Sequence, residues 1–386
     1  MTHTPPLKTS AAPAWDGLPM PRRLWAIVAV AFGVSLSVID GAIANVALPT
    51  IGRELGISEA DSIWIVNAYQ LAIMVSLLSF SALGDVVGYR KIYLGGLALF
   101  TLASVGCACS YSFATLVLTR VLQGFGAAAV TSVNTTLIRN IYPRAQLGRG
   151  MGINATVVAV SAVAGPTLAA AILSVASWPW LFAVNIPVGV TAFVLSRRYL
   201  PQNPVLVRDH RFDWRDGVLN ALTFGLLIAS IEGFSHGLDP RLIAFGVAAL
   251  LLIGFFFVRR QLREPYPILP FDLLRIPIFT VSVLTSICSF IAQMLALVAL
   301  PFYLQHACGY DEVETGLLMT AWPAIIMVVA PVAGYLVERI HAGLLGGMGL
   351  TAMCAGLLLL AFLPDNPPQG EIIWRLMLCG AGFALL

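Results

Sequence analysis

The chain alternates apolar runs of membrane-spanning length with short connectors that hold most of its charge. A hydrocarbon core about 30 Å thick needs ~20 apolar residues per helix. Lipid offers no partner to an unpaired backbone N–H or C=O, so a chain of this kind is confined to helices that satisfy their own backbones. Runs of the required kind fall near 24–48, 62–83, 92–110, 113–138, 150–173, 178–199, 215–235, 241–259, 278–303, 315–336 and 343–363, and a twelfth begins near 372. Charged residues make up 11% and hydrophobic residues 59% of the chain, with mean hydropathy +0.87. Soluble domains carry about 25% charged residues, and no soluble shape covers this much apolar surface. The expected class is an all-α integral membrane protein.

Charge placement orients the spans. With the N-terminus in the cytoplasm, 18 of the 22 Lys and Arg residues fall on that side, from Lys8, Arg22 and Arg23 through Arg90, Lys91, Arg139, Arg144, Arg149, Arg197 and Arg198 to Arg339. Arg53 and Arg241 are left outside, and Arg120 and Arg375 lie within spans. This is the positive-inside bias, and it checks the helix count, because one miscounted span would scramble it. The expected location is a cell membrane, of the bacterial inner-membrane kind. The basic residues form no clustered face of the kind nucleic-acid binding needs. Six scattered cysteines, without C-x-x-C or Cys/His spacing, read as small buried hydrophobes rather than metal ligands. No cofactor or metal is expected. The Thr/Pro/Ala-rich start is expected to be disordered, and the first apolar run is too long for a cleavable signal.

Charges inside the spans carry the functional argument. Asp40 lies past the middle of the first run. A mid-membrane charge costs at least about 2.5–3.5 kcal/mol and needs a partner or a wet cavity. Burial favours the neutral carboxyl, which suits reversible protonation, although a structural hydrogen bond explains the same residue. Arg120, in the fourth run, is either its charge partner or a scaffold bonded to carbonyls. Glu232, near the outer end of the seventh run, reads as interfacial. Arg375 opens the twelfth near the interface, where snorkelling is easy. Ser282, Thr285, Ser286, Ser289 and Gln293 form a polar stripe in the ninth run, facing either a cavity or a neighbouring helix.

Residues 81–91 read Ser81-Ala82-Leu83-Gly84-Asp85-Val86-Val87-Gly88-Tyr89-Arg90-Lys91. They resemble the loop between helices 2 and 3 of the major facilitator superfamily, Gly-x-Leu-x-Asp-Arg-x-Gly-Arg-Arg/Lys, with Ser81, Val86 and Tyr89 at three departures. Residues 334–343 echo the loop, with Leu336 matching Leu83 and Glu338, followed by Arg339, matching Asp85. Such parallel repeats mark two six-helix halves. Val38 to Pro49 is similar to the first-helix signature of the superfamily's fourteen-helix drug:proton antiporter branch. Arg120-Val121-Leu122-Gln123-Gly124 resembles its helix-4 motif. Ala164-Gly165-Pro166 resembles the antiporter motif of helix 5, with Ser161 where the family favours Gly, and Trp178 to Gly189 resembles the start of helix 6.

The resemblance implies a division into a cytoplasmic tail at 1–23, an N-terminal half at 24–199, linkers with an inserted helix pair at 200–277, and a C-terminal half at 278–386. That half is expected to lack its last helices, since Leu386 falls only about 15 residues, or roughly 22 Å, into the twelfth span. It implies gating by Gly84, Asp85, Gly88, Arg90, Lys91, Glu338 and Arg339, with Asp85 meeting Arg90 or a helix N-terminus. It assigns proton coupling to Asp40 and Arg120, antiport packing to Ser161, Gly165 and Pro166, and a substrate cavity to Asn45, Gln123, Ser286, Phe290 and Gln293. The implied function is proton-driven export of hydrophobic or cationic drugs. The alternatives are transport of a specific metabolite and a non-transporting receptor or scaffold. No enzyme motif is present, and no Gly-x-x-x-x-Gly-Lys-Ser/Thr sequence encodes ATP drive. A membrane potential supplies about 2.3 kcal/mol per charge per 100 mV, a roughly fifty-fold gradient.

Overall fold

A computed structural model of the chain describes residues 16–202, 213–235, 239–264, 267–269, 271–306, 308–310, 312–364 and 367–386. Arg208 and Arg211 of the linker, and most of the tail expected to be disordered, lie outside these residues. Residues 16–20 of that tail are docked. Leu18 is buried and its N–H donates to the Ile141 carbonyl, while Asp16 accepts from the Arg144 N–H.

The described residues form helices without strands. The first five long helices are α1 (Arg22–Leu55), α2 (Glu59–Val87), α3 (Tyr89–Ala108), α4 (Phe113–Ile141) and α5 (Leu147–Leu173). The sixth span, Pro179–Tyr199, is broken into α6 (Pro179–Ala183) and α7 (Asn185–Tyr199). Next come α8 (Trp214–Ser235), α9 (Pro240–Gln261) and α10 (Pro277–His306). The tenth span is divided into α11 (Glu312–Met319) and α12 (Ala321–Leu336), followed by α13 (Ala342–Ala361) and α14 (Gln369–Leu385). Among the described residues, eleven segments are long and apolar enough to cross a membrane. The twelfth expected span is α14, of 17 residues.

Local chemistry sets the helix ends. The Ser58 hydroxyl accepts the Asp61 N–H at 3.1 Å and opens α2. Ser112 and Thr115 form a reciprocal capping box at the start of α4, satisfying donors that a helix start leaves orphaned. Gly88 separates α2 from α3 with φ of 111°, a backbone angle costly for a residue with a Cβ. That turn needs no further linker, which is why two helices of the first signature loop meet directly.

The six N-terminal spans pack with α4 against α2 and α3, α1 against α5 and α7, and α3 against α7. Small residues permit the close crossings: a Cβ on Gly124 of α4 would sit 2.5 Å from the Tyr69 carbonyl oxygen on α2. In lipid, where burial of apolar surface gives helices little reason to associate, such backbone approach is a main source of packing energy. In the second group α14 packs on α12 and α13. Helices α8 and α9 pack chiefly on each other and, through α8, on α2. Many large apolar side chains of α8, α9 and α10, including Leu251, Phe255, Ile287 and Ile291, are exposed in the isolated chain, as lipid-facing positions must be.

The two groups of spans join mainly through α5 and α12. A Cβ on Gly334 would lie 2.4 Å from the Gly148 carbonyl oxygen, and one on Gly152 would lie 2.7 Å from that of Ala330. Replacing Gly334 by Leu is expected to force α12 off α5 and cost about 1–3 kcal/mol, the usual price of overpacking. Thermal unfolding in detergent reads this as a lowered midpoint, and an unchanged midpoint means the crossing tolerates the bulk.

Candidate functional site

Six helices converge on one buried ion pair. Asp40, 1% exposed on α1, places Oδ2 2.6 Å from Nη1 of Arg120, which is fully buried on α4. Its Oδ1 accepts from Gln123 Nε2 at 2.9 Å and from Asn185 Nδ2, at the start of α7, at 2.6 Å. Gln123 also accepts from Arg120 Nη1 at 2.6 Å and donates to the Ser104 hydroxyl on α3 at 2.9 Å. From α2, the Ile65 carbonyl accepts from Arg120 Nε at 3.1 Å, and the Tyr69 ring lies 4.1 Å from the guanidinium carbon. Phe182 of α6 closes the other side at 5.5 Å.

The electrostatics follow from the partners. A carboxylate with one cation and two amide donors has its charge compensated where lipid gives none. The guanidinium is planar and weakly hydrated, so it pairs with Asp40 at one edge while its face rests on an aromatic ring. Its Nη2 finds no hydrogen-bond acceptor among the described residues. The site is therefore complete at Asp40 and incomplete at Arg120.

The sequence singled out Asp40 and Arg120, and the structure brings them into direct contact. Gln123, expected in a substrate cavity, is instead 0% exposed and inside this network, because its position one turn past Arg120 aims it at the same carboxylate. Tyr69, Ser104 and Asn185 were not singled out as site residues. Asn185 donates to Asp40 across 145 residues, and nothing local to its own segment marks that pairing. Asn45 is exposed and its amide donates to the Gly41 carbonyl of its own helix at 3.1 Å. On α10, Ser286 is exposed and bonded to the Ser282 carbonyl, Gln293 is buried, and Phe290 meets Phe383 of α14 edge-to-face at 5.2 Å.

The helix-5 motif is a packing surface between α5 and α1. Ser161 bonds the Ser35 hydroxyl at 2.9 Å, and a Cβ on Gly165 would lie 2.5 Å from the Ala42 methyl. Pro166 lies inside α5, where it removes one backbone hydrogen bond.

The two signature loops differ. Asp85 accepts from the Tyr89 hydroxyl, and Arg90 donates through Nη2 to the Arg197 carbonyl at the end of α7. The Tyr at a position where the resembled loop carries Arg thus takes the carboxylate, and no contact between Asp85 and Arg90 is formed among the described ion pairs. Lys91 is exposed, and Gly84 packs under the Tyr89 ring. In the second loop Glu338 reaches across to α5. One carboxylate oxygen lies 3.3 Å from Arg149 Nε and the other accepts the Arg149 backbone N–H at 3.3 Å, so an acid meets the positive first turn of a helix. Arg339 lies over the Tyr335 ring at 4.4 Å.

Two further intramembrane charges are partnered. Glu232 accepts from Asn67 of α2 at 2.8 Å, tying α8 to the N-terminal spans. Arg375, expected to snorkel, instead turns inward: it donates to the Leu359 carbonyl at 2.7 Å and pairs with Glu371 at 2.6 Å. Its charge satisfies the last turn of α13, where helix carbonyls lack partners.

Removing Arg120 leaves Asp40 as a buried charge without its cation. Arg120→Ala is expected to cost about 3–5 kcal/mol of stability, and the double substitution Asp40→Asn, Arg120→Ala less than the sum of the singles. Chemical denaturation in detergent gives the cycle, and strict additivity contradicts a coupled pair.

With that geometry in place, comparisons with known proteins become informative. The profile of the Major Facilitator Superfamily matches residues 30–386. The chain is 59% identical to the "Uncharacterized transporter YebQ" of Escherichia coli over 96% of its own length and 81% of that protein's. It is 29% identical to the "Riboflavin transporter RibZ" of Clostridioides difficile (94% and 78% of the two chains). It is 32% identical to the "Tetracenomycin C resistance and export protein" of Streptomyces glaucescens (99% and 71%). The crystal structure of the human organic anion transporter MFSD10 superposes with TM-score 0.66 at 15% identity, covering 95% of this chain and 84% of that one. The fold is that of a major facilitator, and the chain belongs to the Major Facilitator Superfamily, as a multi-pass membrane transporter.

Proposed function

We propose that the protein is a proton-coupled exporter of hydrophobic or cationic drugs, of the superfamily's fourteen-helix antiporter branch, with α8 and α9 as the inserted pair between halves at 24–199 and 278–386. The observation that carries this reading is the Asp40–Arg120 pair, a titratable group enclosed in the N-terminal half. Protonating Asp40 removes the charge that holds Arg120 and two amides, so α1 and α4 lose their strongest mutual contact. Helix α1 is also the partner of α5 through Ser35–Ser161 and Ala42–Gly165. Helix α5 in turn carries Arg149, which faces Glu338. A change at Asp40 therefore has a contiguous mechanical route to the joint between the halves. With the N-terminus cytoplasmic, that joint closes the cytoplasmic side, and the conformation is outward-facing. Export of tetracenomycin C by a relative of 32% identity supports a drug as cargo.

A second reading, transport of a specific metabolite, is favoured by the riboflavin transporter among the relatives. The two readings share the coupling step and differ in the cargo.

Everted membrane vesicles containing the protein, energised and then given a set of unrelated lipophilic cations, test both. Proton release by several cations, abolished by Asp40→Asn, is expected. Release by none of the cations overturns the cationic-drug reading, and competition confined to riboflavin or one close analogue supports the metabolite. Glu338→Gln is expected to weaken the joint by about 0.5–2 kcal/mol, read as slower cross-linking of an α5–α12 cysteine pair placed across it.

A further inference from the structure

The start of α5 has no cap of its own. Neither the short turn that leads into it, Arg144–Gln146, nor α5 itself has a side-chain cap or an acid in its first turn. A helix start nonetheless leaves N–H groups without partners and favours negative charge. Gln146 occupies the N-cap position of α5, but its side-chain oxygen accepts instead from Arg23 Nη1 at 2.8 Å. Two carboxylates from elsewhere in the chain meet this helix start. Asp16 accepts the Arg144 N–H at 3.0 Å, and Glu338 of α12 accepts the Arg149 N–H at 3.3 Å. The first comes from the segment before α1, the second from the other group of spans.

Chain ends are loose unless they are tied down, and this one is tied closely. The Leu18 N–H donates to the Ile141 carbonyl at 2.9 Å, and its side chain joins the apolar cluster of Ile138, Ile141 and Tyr142. Arg23 clips the segment in place: its Nε donates to the Leu18 carbonyl at 2.8 Å, and its guanidinium carbon lies 5.9 Å from the centre of the Tyr142 ring. Gly17 has φ of 78°, and a Cβ there would lie 2.5 Å from the Pro143 nitrogen, so backbone rests on backbone. These ties to Ile141, Tyr142, Pro143, Arg144 and Gln146 all fall on the connector into α5. Tyr142 carries the contact onward, since a Cβ on Gly150 of α5 would lie 2.7 Å from its ring.

We propose that residues 16–20, clipped by Arg23, form a strap that sets the position of the α5 start, and that docking of the strap and closure of the α5–α12 joint favour each other. The joint begins directly after the connector, where Gly148 approaches Gly334 and Arg149 meets Glu338. Release of the strap frees the first turn of α5, and Gly148 and Arg149 lose the register in which they face α12. In the other direction, departure of Glu338 leaves Asp16 as the one carboxylate described on that helix start. The coupling rests on the joint itself. Only its use, as a brake on opening toward the cytoplasm, rests on the function proposed above.

Hydrogen exchange of the full chain in detergent, with neither cargo nor a proton gradient, tests the strap peptide by peptide. Gly17→Ala is expected to raise exchange about five-fold, the usual effect of losing a helix cap. The rise extends beyond residues 141–149 to residues 334–340 at the end of α12. Asp16→Asn, at an exposed position, gives the same pattern with least disturbance of packing. Coupling between two sites is reciprocal, so Glu338→Gln raises exchange of the Leu18 amide in turn. Arg22→Gln, whose Nε bonds the Tyr199 carbonyl of α7, leaves both regions at the wild-type rate. Faster exchange confined to residues 16–20 and 141–146 overturns the proposal and makes the segment a local anchor. A wild-type rate at Leu18 in Glu338→Gln overturns it as well. Should Gly17→Ala speed exchange in every helix, the fold is lost in that variant and Asp16→Asn decides alone. Cargo and coupling do not enter the readout, so failure of the export reading leaves the result standing.

Discussion

Lipid cannot hydrogen-bond, and the arrangement of this chain follows from that restriction. Every charge placed between the membrane surfaces has to find its partner in protein. Asp40 and Arg120 find each other, and four further helices supply the remaining contacts: α2 with Ile65 and Tyr69, α3 with Ser104, α6 with Phe182 and α7 with Asn185. The pair thus acts as a hub for the N-terminal half. The close crossings at Gly124, Gly165 and Ser161 sit around it, since helices that converge on one carboxylate have to approach closely.

The two halves do not share this design. Helices α10, α12 and α13 contain no Asp, Glu, Lys or Arg, and their polar content is the modest stripe of Ser289 and Gln293 with a few hydroxyls. Apart from Arg375 of α14, which bonds the end of α13, the contacts holding the second group are those of small and apolar residues, as at Gly356 and Gly382 against α14 and α13. One half therefore centres on a charge pair and the other packs mostly around apolar surface, with its one inward-turned pair, Arg375–Glu371, at a helix end, although the signature loops show a common plan. The α8–α9 pair belongs to neither pattern. It is fastened at one end by Arg260, which is shared among Asp213, Asp216 and Glu264, and further along by Asn67–Glu232.

Span number, span limits and the family were legible in the sequence because they rest on properties that are local along the chain: hydropathy over twenty residues, basic connectors, and short loops with fixed spacing. Asp40 and Arg120 were legible for a related reason, since a charge in an apolar run is visible without knowing its partner. The rest of the site was not. Asn185, Ser104 and Tyr69 join Asp40 and Arg120 only through the mutual rotation of five helices, and each is an ordinary residue in its own segment. Helix rotation also explains why Gln123 is in the charge network and Asn45 is not. A span's sequence records which residues are polar but weakly records which way they face when most of the span is apolar on all sides. The change of partner at Asp85 was written in the sequence as Tyr89, yet only the geometry shows that a phenol at that position captures the acid.

The crossing of Gly148 and Gly334 has a consequence for how such a machine opens. Two backbones touch there without side chains between them, so no interlocking shapes must disengage when they part, and little apolar surface is exposed to water in the act. The ionic contact at the rim, Arg149 with Glu338, adds to that backbone packing, with Arg149 half exposed. On the function proposed above, the joint resembles a magnetic latch more than a zipper, and part of its holding force responds to the ionic strength of the fluid that bathes it.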